Sequence, residues 1–98
     1  NDMLVANNWN VMQYAILLVM MAQVSGFIPG QLIHVIADAH IYDRHIPLVE
    51  ELIGRPAFPA AKLKVDPQIR DFYDFRVDSF QFEDYLSGPG VRGIPVAQ

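Results

Sequence analysis

The sequence predicts an α/β fold of layered α+β type, in which one long buried helix packs on a mixed sheet. Three segments lead to this class. Residues 9–24 are apolar at all but three positions, residues 32–42 alternate between polar and apolar side chains, and residues 62–65 alternate over a shorter run. A continuous apolar run of this length is typical of a helix, whereas alternation is typical of a strand. Residues 1–98 are predicted to form a single segment of one small domain.

The long helix is predicted over Trp9–Val24. Its apolar run is broken only by Asn10, Gln13 and Gln23, and Gly26 follows as a typical stop signal. A helix that is apolar on nearly all sides must be covered on most of them. The chain also holds 52% hydrophobic residues, against about 45–50% in a usual globular domain. Part of this apolar surface is therefore expected to meet another subunit or another portion of the protein.

The strand predicted over Leu32–Tyr42 separates two kinds of side chain. Its odd positions are all apolar, and its even positions include His34, Asp38, His40 and Tyr42. Because successive side chains of a strand point to opposite faces, the odd set is predicted to be core and the even set to line a cleft. Histidine, aspartate and tyrosine can donate or accept hydrogen bonds and can titrate, and a face that only meets solvent seldom requires these residue types. This polar face is the first candidate for a site.

Shorter elements are predicted after this strand. Asp43 is predicted to cap a helix that reaches about Ile53 and stops at Gly54. A short strand is predicted over Lys62–Val65, with its lysines toward solvent. The aromatic and acidic stretch over residues 71–85 is predicted to form a short helix or turn followed by a strand.

Charge and cysteine content exclude several classes of function. The net charge is −4 and the seven basic residues are scattered, so neither a nucleic-acid footprint nor a cationic membrane face is predicted. The apolar run over residues 9–24 is shorter than the roughly 20 residues that a bilayer span needs. With no cysteine, these residues hold no disulfide, thiolate metal site or cysteine nucleophile. No signal peptide is recognised before the helix, so a cytoplasmic protein is expected.

Several short motifs at fixed spacing resemble the C-terminal part of thymidylate synthase. They are Asp2, Asn10, Tyr14-Ala15, Ala22-Gln23, Gly30, Asp38-Ala39-His40-Ile41-Tyr42, His45 and Pro95-Val96-Ala97. The resemblance runs without a gap from Asp2 to His45 and more loosely to the end of the chain. It implies the C-terminal part of a thymidylate synthase-like catalytic domain. In that family a cysteine thiolate adds to C6 of deoxyuridylate, and 5,10-methylenetetrahydrofolate supplies the one-carbon unit and the hydride.

The resemblance implies three residues of a nucleotide site. Asn10 matches the asparagine that reads the pyrimidine, and its amide can accept from N3–H and donate to O4 of uracil. His40 and Tyr42 match the pair that hydrogen-bonds the 3′-hydroxyl of deoxyribose. In the related deoxycytidylate hydroxymethylases an aspartate stands at the position of Asn10, so the asparagine favours uracil. The plainer alternative is that Asn10 only caps the helix.

The resemblance also implies a folate site. Asp2 matches the aspartate that contacts the pterin ring of 5,10-methylenetetrahydrofolate, and a carboxylate can accept paired N–H donors. Val96 and Ala97 belong to a tail that folds over the site and excludes water. A solvated Asp2 and a mobile tail are the plainer alternatives. Two departures are that Ala6 replaces a glycine usual in the family, and Arg44 replaces a common asparagine.

The resemblance places the catalytic residues outside this chain. The family's cysteine, and the Arg-Ser pair that meets the nucleotide phosphate, lie before the position that matches Asn1. The chain is therefore expected to bind deoxyuridylate but to be inactive alone. Its expected partners are that N-terminal portion and a second copy in a homodimer.

Two other functions are open from the residues themselves. Asp38, His40, Asp43 and His45 fall within eight positions and could hold a metal, although the spacing of the histidines matches no standard zinc site. The apolar helix and the aromatic second half could instead serve a noncatalytic dimerisation module. A melting temperature that depends on zinc would favour the metal site, and deoxyuridylate binding would favour the nucleotide site.

Overall fold

A computed structural model describes residues 1–96, and Ala97 and Gln98 lie outside the described residues. Within residues 1–96 the chain forms two α-helices, three short 3₁₀ turns and a two-stranded antiparallel sheet. This combination confirms the predicted α+β class. The single-segment organisation over residues 1–98 stays a prediction.

Helix α1 spans Asn7–Ser25 and confirms the long predicted helix. Gly26 ends it in the left-handed conformation, with a φ of 72°. The amide of Phe27 donates to the carbonyl of Ala22 at 2.8 Å, and the amide of Gly26 donates to that of Gln23 at 3.2 Å. These two bonds form a Schellman motif, which glycine adopts without steric strain.

Helix α1 is less buried than the sequence predicts. In the described part of the chain only Ala22 and His45 are buried, whereas Trp9 and Tyr14 of α1 are 75% and 52% exposed. The radius of gyration is 16.4 Å, against roughly 13 Å for a compact domain of this size. The second helix and the two-stranded sheet do not enclose α1, so the apolar faces of α1 are left uncovered by residues 1–96. No helix among these residues combines the length and the apolarity needed to cross a bilayer.

Helix α2 spans Ile46–Ile53 and follows a 3₁₀ turn over Asp43–His45. The prediction that Asp43 caps this helix is wrong. The N-cap is His45, whose side chain makes no capping bond. Its amide already closes the preceding turn at 2.8 Å, so the chain turns earlier than expected and Asp43 lies inside that turn. The predicted end of the helix at Gly54 is confirmed.

Strands β1 and β2 span Lys62–Val65 and Phe80–Glu83 and pair antiparallel, with Leu63 opposite Phe82. Both strands confirm the predicted order of elements, and the lysines of β1 are exposed. The sheet within residues 1–96 is antiparallel, so these residues alone do not build the predicted mixed sheet. Two 3₁₀ turns precede β2, over Phe72–Asp74 and Val77–Ser79.

Gln23 joins α1 to the second half of the chain. Its side-chain amide donates to the carbonyl of Asp66 at 2.8 Å and to that of Ile69 at 3.0 Å. The polar residue that interrupts the apolar run is therefore an anchor between the helix and the loop after β1.

The segment over Leu32–Tyr42 forms no strand ladder in the described chain. Within residues 1–96 its main chain pairs through one isolated parallel β-bridge, between His40 and Asp2. A strand requires a neighbour that hydrogen-bonds along its length, and residues 1–96 provide that neighbour only at this one end. The predicted strand is therefore wrong for these residues taken alone.

The alternation of this segment persists, and its even positions line a cleft as predicted, but its odd positions are not core. Ile33 and Val35 are 83% and 85% exposed, whereas His34 and His40 are half-buried. The ring of His34 lies 6.4 Å from the ring of Tyr14 on α1. The polar face therefore meets the helix, and the apolar face predicted to be core is uncovered because no layer of the described chain lies over it.

Candidate functional site

The start of the chain pairs with the end of the 32–42 segment. The amide of Met3 donates to the carbonyl of His40 at 3.0 Å, and the amide of His40 donates to the carbonyl of Asn1 at 3.2 Å. This bridge places Asp2 beside His40. Asp2, predicted to bind the folate, and His40, predicted to bind the nucleotide, therefore lie next to each other.

Asp2 organises the turn that leads into α1. Its main-chain carbonyl accepts from the amides of Ala6 at 3.1 Å and Asn7 at 2.9 Å. Its Oδ1 accepts from the amides of Leu4 at 2.8 Å and Val5 at 3.2 Å. The side chain is only 12% exposed, so the solvated alternative does not describe it. Because Oδ1 serves the turn, Oδ2 is the oxygen open to a further donor.

The environment of Asp2 favours its ionised form. Burial raises the pKa of this carboxyl, but the amides of Leu4 and Val5 and the nearby rings of His45 and His40 outweigh burial and hold the pKa below its ordinary 3.8. The Nδ1 atom of His45 lies 4.0 Å from Oδ2. Asp2 therefore presents a carboxylate, not a carboxylic acid, at neutral pH.

Asp2→Asn is expected to lower the melting temperature above about pH 5 and to have a smaller effect in acid. A carboxyl whose pKa is lowered by folding stabilises the fold above its unfolded pKa, near 3.8. That contribution is lost as the pH falls through the folded value. Thermal unfolding of the unsubstituted chain and of Asp2→Asn between about pH 3 and pH 7 measures the difference between their melting temperatures. Asp78→Asn, an exposed site, controls for the lost charge, and a difference that widens in acid would contradict the prediction.

Asn10 lies in the first turns of α1 and faces a polar cleft. The N-cap of α1 is Ala6, so the alternative that Asn10 only caps the helix is wrong. The cleft has a volume of about 480 Å³, and Asn10, Tyr14, His34 and Asp38 are among its lining residues. It lies where the polar face of the 32–42 segment meets the helix.

Asn1 and Asn7 connect the residues around this cleft, and neither was predicted from the sequence as a site residue. Nδ2 of Asn10 donates to Oδ1 of Asn1 at 3.3 Å, and the carbonyl of Asn1 accepts from the amide of His40. Nδ2 of Asn1 donates to Oδ1 of Asn7 at 3.4 Å, and that oxygen lies 3.2 Å from Nε2 of His34. No motif signals these contacts, because each depends on the bridge that joins distant parts of the chain.

The rings of His40, Tyr42 and His45 form a row. The centroids of His40 and Tyr42 are 5.1 Å apart, and those of Tyr42 and His45 are 5.6 Å apart, both in edge-to-face geometry. Such packing fixes the orientation of each ring. Nδ1 of His40 lies 3.3 Å from Oδ1 of Asp38. The structure therefore brings the two predicted sugar-binding side chains together, and Tyr42 stays 40% exposed and accessible to a ligand.

The C-terminal segment is bonded to the turn that precedes α2. Nε2 of His45 donates to the carbonyl of Pro95 at 2.8 Å, and Nη1 of Arg44 donates to the carbonyl of Val96 at 3.1 Å. These bonds place Val96 next to the row of rings. Ala97, the other tail residue predicted to contact the cofactor, lies outside the described residues.

The structure gives the metal-site alternative no support. Among residues 1–96, no three histidine, aspartate or glutamate side chains converge in a way that could hold a metal ion. His45 is committed instead to Pro95 through Nε2.

The family model described as thymidylate synthase matches residues 1–97 of this chain. The chain belongs to the thymidylate synthase family. The resemblance seen in the short motifs of the sequence is thereby confirmed, and the match includes the proposed nucleotide and cofactor residues.

Several relatives within the thymidylate synthase family are longer than this chain. It is 43% identical over 88 residues to a thymidylate synthase of Bacillus mojavensis, covering 90% of this chain and 32% of the relative. A thymidylate synthase of Bacillus licheniformis is 44% identical over the same shares. The solved structure of thermostable thymidylate synthase A from Bacillus subtilis matches with a TM-score of 0.93 and 39% identity, over 97% of this chain and 34% of that one. The chain spans about a third of the length of these relatives.

Proposed function

We propose that this chain supplies the nucleotide- and cofactor-reading part of a thymidylate synthase-type methyltransferase that converts deoxyuridylate to thymidylate. The nucleotide is bound by Asn10, His40 and Tyr42, and 5,10-methylenetetrahydrofolate is bound by Asp2, Val96 and Ala97. The observation that most supports this function is the link through Asn1, which joins the side chain of Asn10 in the polar cleft to the main chain of His40.

Asn10 is suited to read uracil. Its amide oxygen can accept from N3–H of the base, and its amide nitrogen can donate to O4. One hydrogen of Nδ2 is directed to Asn1 at 3.3 Å, which leaves the second hydrogen for the base. Cytosine presents the opposite pattern at these two atoms, so its recognition would leave a donor facing a donor.

His40 and Tyr42 are suited to hold the sugar. Their rings are in edge-to-face contact at 5.1 Å, so one hydroxyl group of a ligand can reach both. Nδ1 of His40 faces Asp38, which leaves Nε2 for the ligand. An imidazole nitrogen and a phenol together can satisfy a hydroxyl as both donor and acceptor.

Asp2 fits a heterocycle that offers N–H donors. Its carboxylate is ionised and Oδ2 is not used by the turn, so a charge-assisted bond can form there. When bound, the folate supplies the one-carbon unit and the reducing hydride. The part of this chain is to orient the cofactor at Asp2 and to exclude water with the tail.

The nucleophile is proposed to come from an N-terminal portion, because this chain has no cysteine. The chain spans about a third of its relatives, and Trp9, Ile33 and Val35 present uncovered apolar surface. Such surface supports association with that portion and with a second copy in a homodimer. The chain is proposed to be inactive alone.

The double variant His40→Phe and Tyr42→Phe is expected to abolish the rise in melting temperature that deoxyuridylate produces. Phenylalanine keeps the ring packing but removes every group that can bond the 3′-hydroxyl. The measurement is thermal unfolding with and without nucleotide, on the chain alone and after mixing with the N-terminal portion of a relative.

A ligand change provides the matched control for this double variant. Dideoxyuridylate, which lacks the 3′-hydroxyl, should stabilise the unsubstituted chain no more than it stabilises the variant. Tyr73→Phe, at a site 84% exposed, should leave the response to deoxyuridylate intact. If the double variant still prefers deoxyuridylate to its dideoxy analogue, the sugar-binding role is wrong.

A noncatalytic dimerisation role is the second candidate, and the uncovered apolar surface favours it. A groove of about 1110 Å³ is lined by Met12, Leu52, Phe58 and Phe82, among others. A chain that self-associates but shows no response to deoxyuridylate, with or without an N-terminal portion, would have this role instead.

A further inference from the structure

Two neighbouring side chains hold two consecutive carbonyls of the C-terminal segment. His45 donates through Nε2 to Pro95 at 2.8 Å, and Arg44 donates through Nη1 to Val96 at 3.1 Å. Both donors belong to the 3₁₀ turn that precedes α2. Their partners lie about 50 residues further along the chain, so these bonds are tertiary contacts that fix where the tail lies.

His45 also meets the cofactor side of the proposed site. It is 2% exposed, and its second nitrogen, Nδ1, is buried without a hydrogen-bond partner in the described chain. The nearest carboxylate oxygen recorded for it is Oδ2 of Asp2 at 4.0 Å. One imidazole therefore contacts the tail with one nitrogen and faces Asp2 with the other.

In the part of the tail that the structure describes, side-chain burial is slight. Val96 is 78% exposed, and Pro95 is also exposed. Gly93 turns the segment with a φ of 69°, and Ile94 beyond it is half-buried. Because side-chain burial contributes little at residues 95 and 96, the bonds from His45 and Arg44 to their main-chain carbonyls hold this part of the segment against the His45 ring, which faces Asp2 with its other nitrogen.

We propose that Arg44 and His45 are positioning residues that seat the C-terminal segment beside Asp2, through the carbonyls of Val96 and Pro95. Arg44 reaches the carbonyl of Val96 through its long side chain, whereas the amide of an asparagine at this position would end three atoms closer to the backbone. The importance of this seating for the cofactor rests on the proposed function of Asp2, but the seating itself requires no ligand.

The seating can be measured in the full chain without nucleotide or cofactor. The chain has no cysteine, so Val96→Cys, at a side chain that is 78% exposed, provides a single site for a nitroxide label whose EPR line shape reports the mobility of the tail. Arg44→Asn and His45→Asn should both increase that mobility. His45→Gln should restore the restricted line shape, because the glutamine amide nitrogen replaces Nε2 as the donor to Pro95.

Two controls separate seating from a general loss of structure. Arg92→Asn removes the same charge from an exposed arginine near the tail and should leave the line shape unchanged. Arg44 is itself exposed, so Arg44→Asn tests the proposal even if substitutions at buried His45 unfold the chain, which circular dichroism detects. Equal mobility in the Arg44→Asn, Arg92→Asn and unsubstituted chains overturns the proposal, whatever the nucleotide experiments give.

A kinetic measurement tests the consequence for the cofactor. In the chain completed with the N-terminal portion of a relative, Arg44→Asn should raise the KM for methylenetetrahydrofolate by about 5- to 10-fold, the effect expected of one hydrogen bond. The KM for deoxyuridylate should change by less than about twofold. An equal rise in both KM values would contradict a role confined to the cofactor side.

Discussion

Asn10→Asp is expected to reverse the pyrimidine preference of the site, lowering affinity for deoxyuridylate and raising affinity for deoxycytidylate. A carboxylate cannot donate to O4 of uracil, but it can accept from the exocyclic amine of cytosine. Sites that read a base by buried polar groups can discriminate by as much as about 10⁴-fold. Since Asn10 is half-buried, a change in the ratio of the two affinities of about 10²- to 10⁴-fold is expected.

The fold should tolerate this substitution, so the change can be assigned to recognition. Asn10 lies near the N-terminus of α1, where the helix dipole favours a negative charge. Asn8→Asp is the matched control, because it makes the same change two residues earlier at an exposed position. Competitive binding of deoxyuridylate and deoxycytidylate, by the chain completed with an N-terminal portion, measures the ratio. Equal effects of the two substitutions would contradict the role of Asn10.

The elements that could be predicted from the sequence are those with local causes. Gly26 ends α1 because a single residue can satisfy the last turn of a helix. The β1 strand follows from its own alternation and from the proline that comes after it. The prediction that Asp43 caps α2 was wrong, although it too concerned a local feature. The amide of His45 closes a tight turn over Asp43–His45, and this turn forms in place of the cap.

The features that could not be predicted depend on distant partners. The 32–42 segment has the pattern of a strand, but a ladder and a buried face both require neighbours that residues 1–96 supply at His40 alone. The family resemblance indicated Asn10 and Tyr42 as candidates, whereas Asn1 and Asn7 contribute through contacts that no motif signals. Residue type and spacing indicate which side chains carry chemistry, and the fold determines which of them meet.

The apolar face of the 32–42 segment leads to the second large expected effect, on association with the N-terminal portion. Ile33 and Val35 are 83% and 85% exposed on one face, and among the described residues the segment has a ladder partner at only one end. An open edge with an apolar face is a template for pairing with another chain. Burial of one such side chain stabilises by roughly 1.5–3 kcal/mol, so the loss of one corresponds to about a 10- to 10²-fold weaker complex.

Val35→Lys is therefore expected to weaken the complex with the N-terminal portion by at least about tenfold. The double variant Ile33→Lys and Val35→Lys is expected to prevent thymidylate formation when the chain is mixed with that portion. Val77→Lys makes the same change at a site 94% exposed, in the 3₁₀ turn over Val77–Ser79, and should leave the complex and thymidylate formation intact. Titration calorimetry against the N-terminal two thirds of the Bacillus subtilis synthase measures the affinity. Circular dichroism checks that the chain keeps its helices, which is expected because neither side chain contributes to a buried core. A complex as tight with Val35→Lys as without it would mean that the partner covers some other surface.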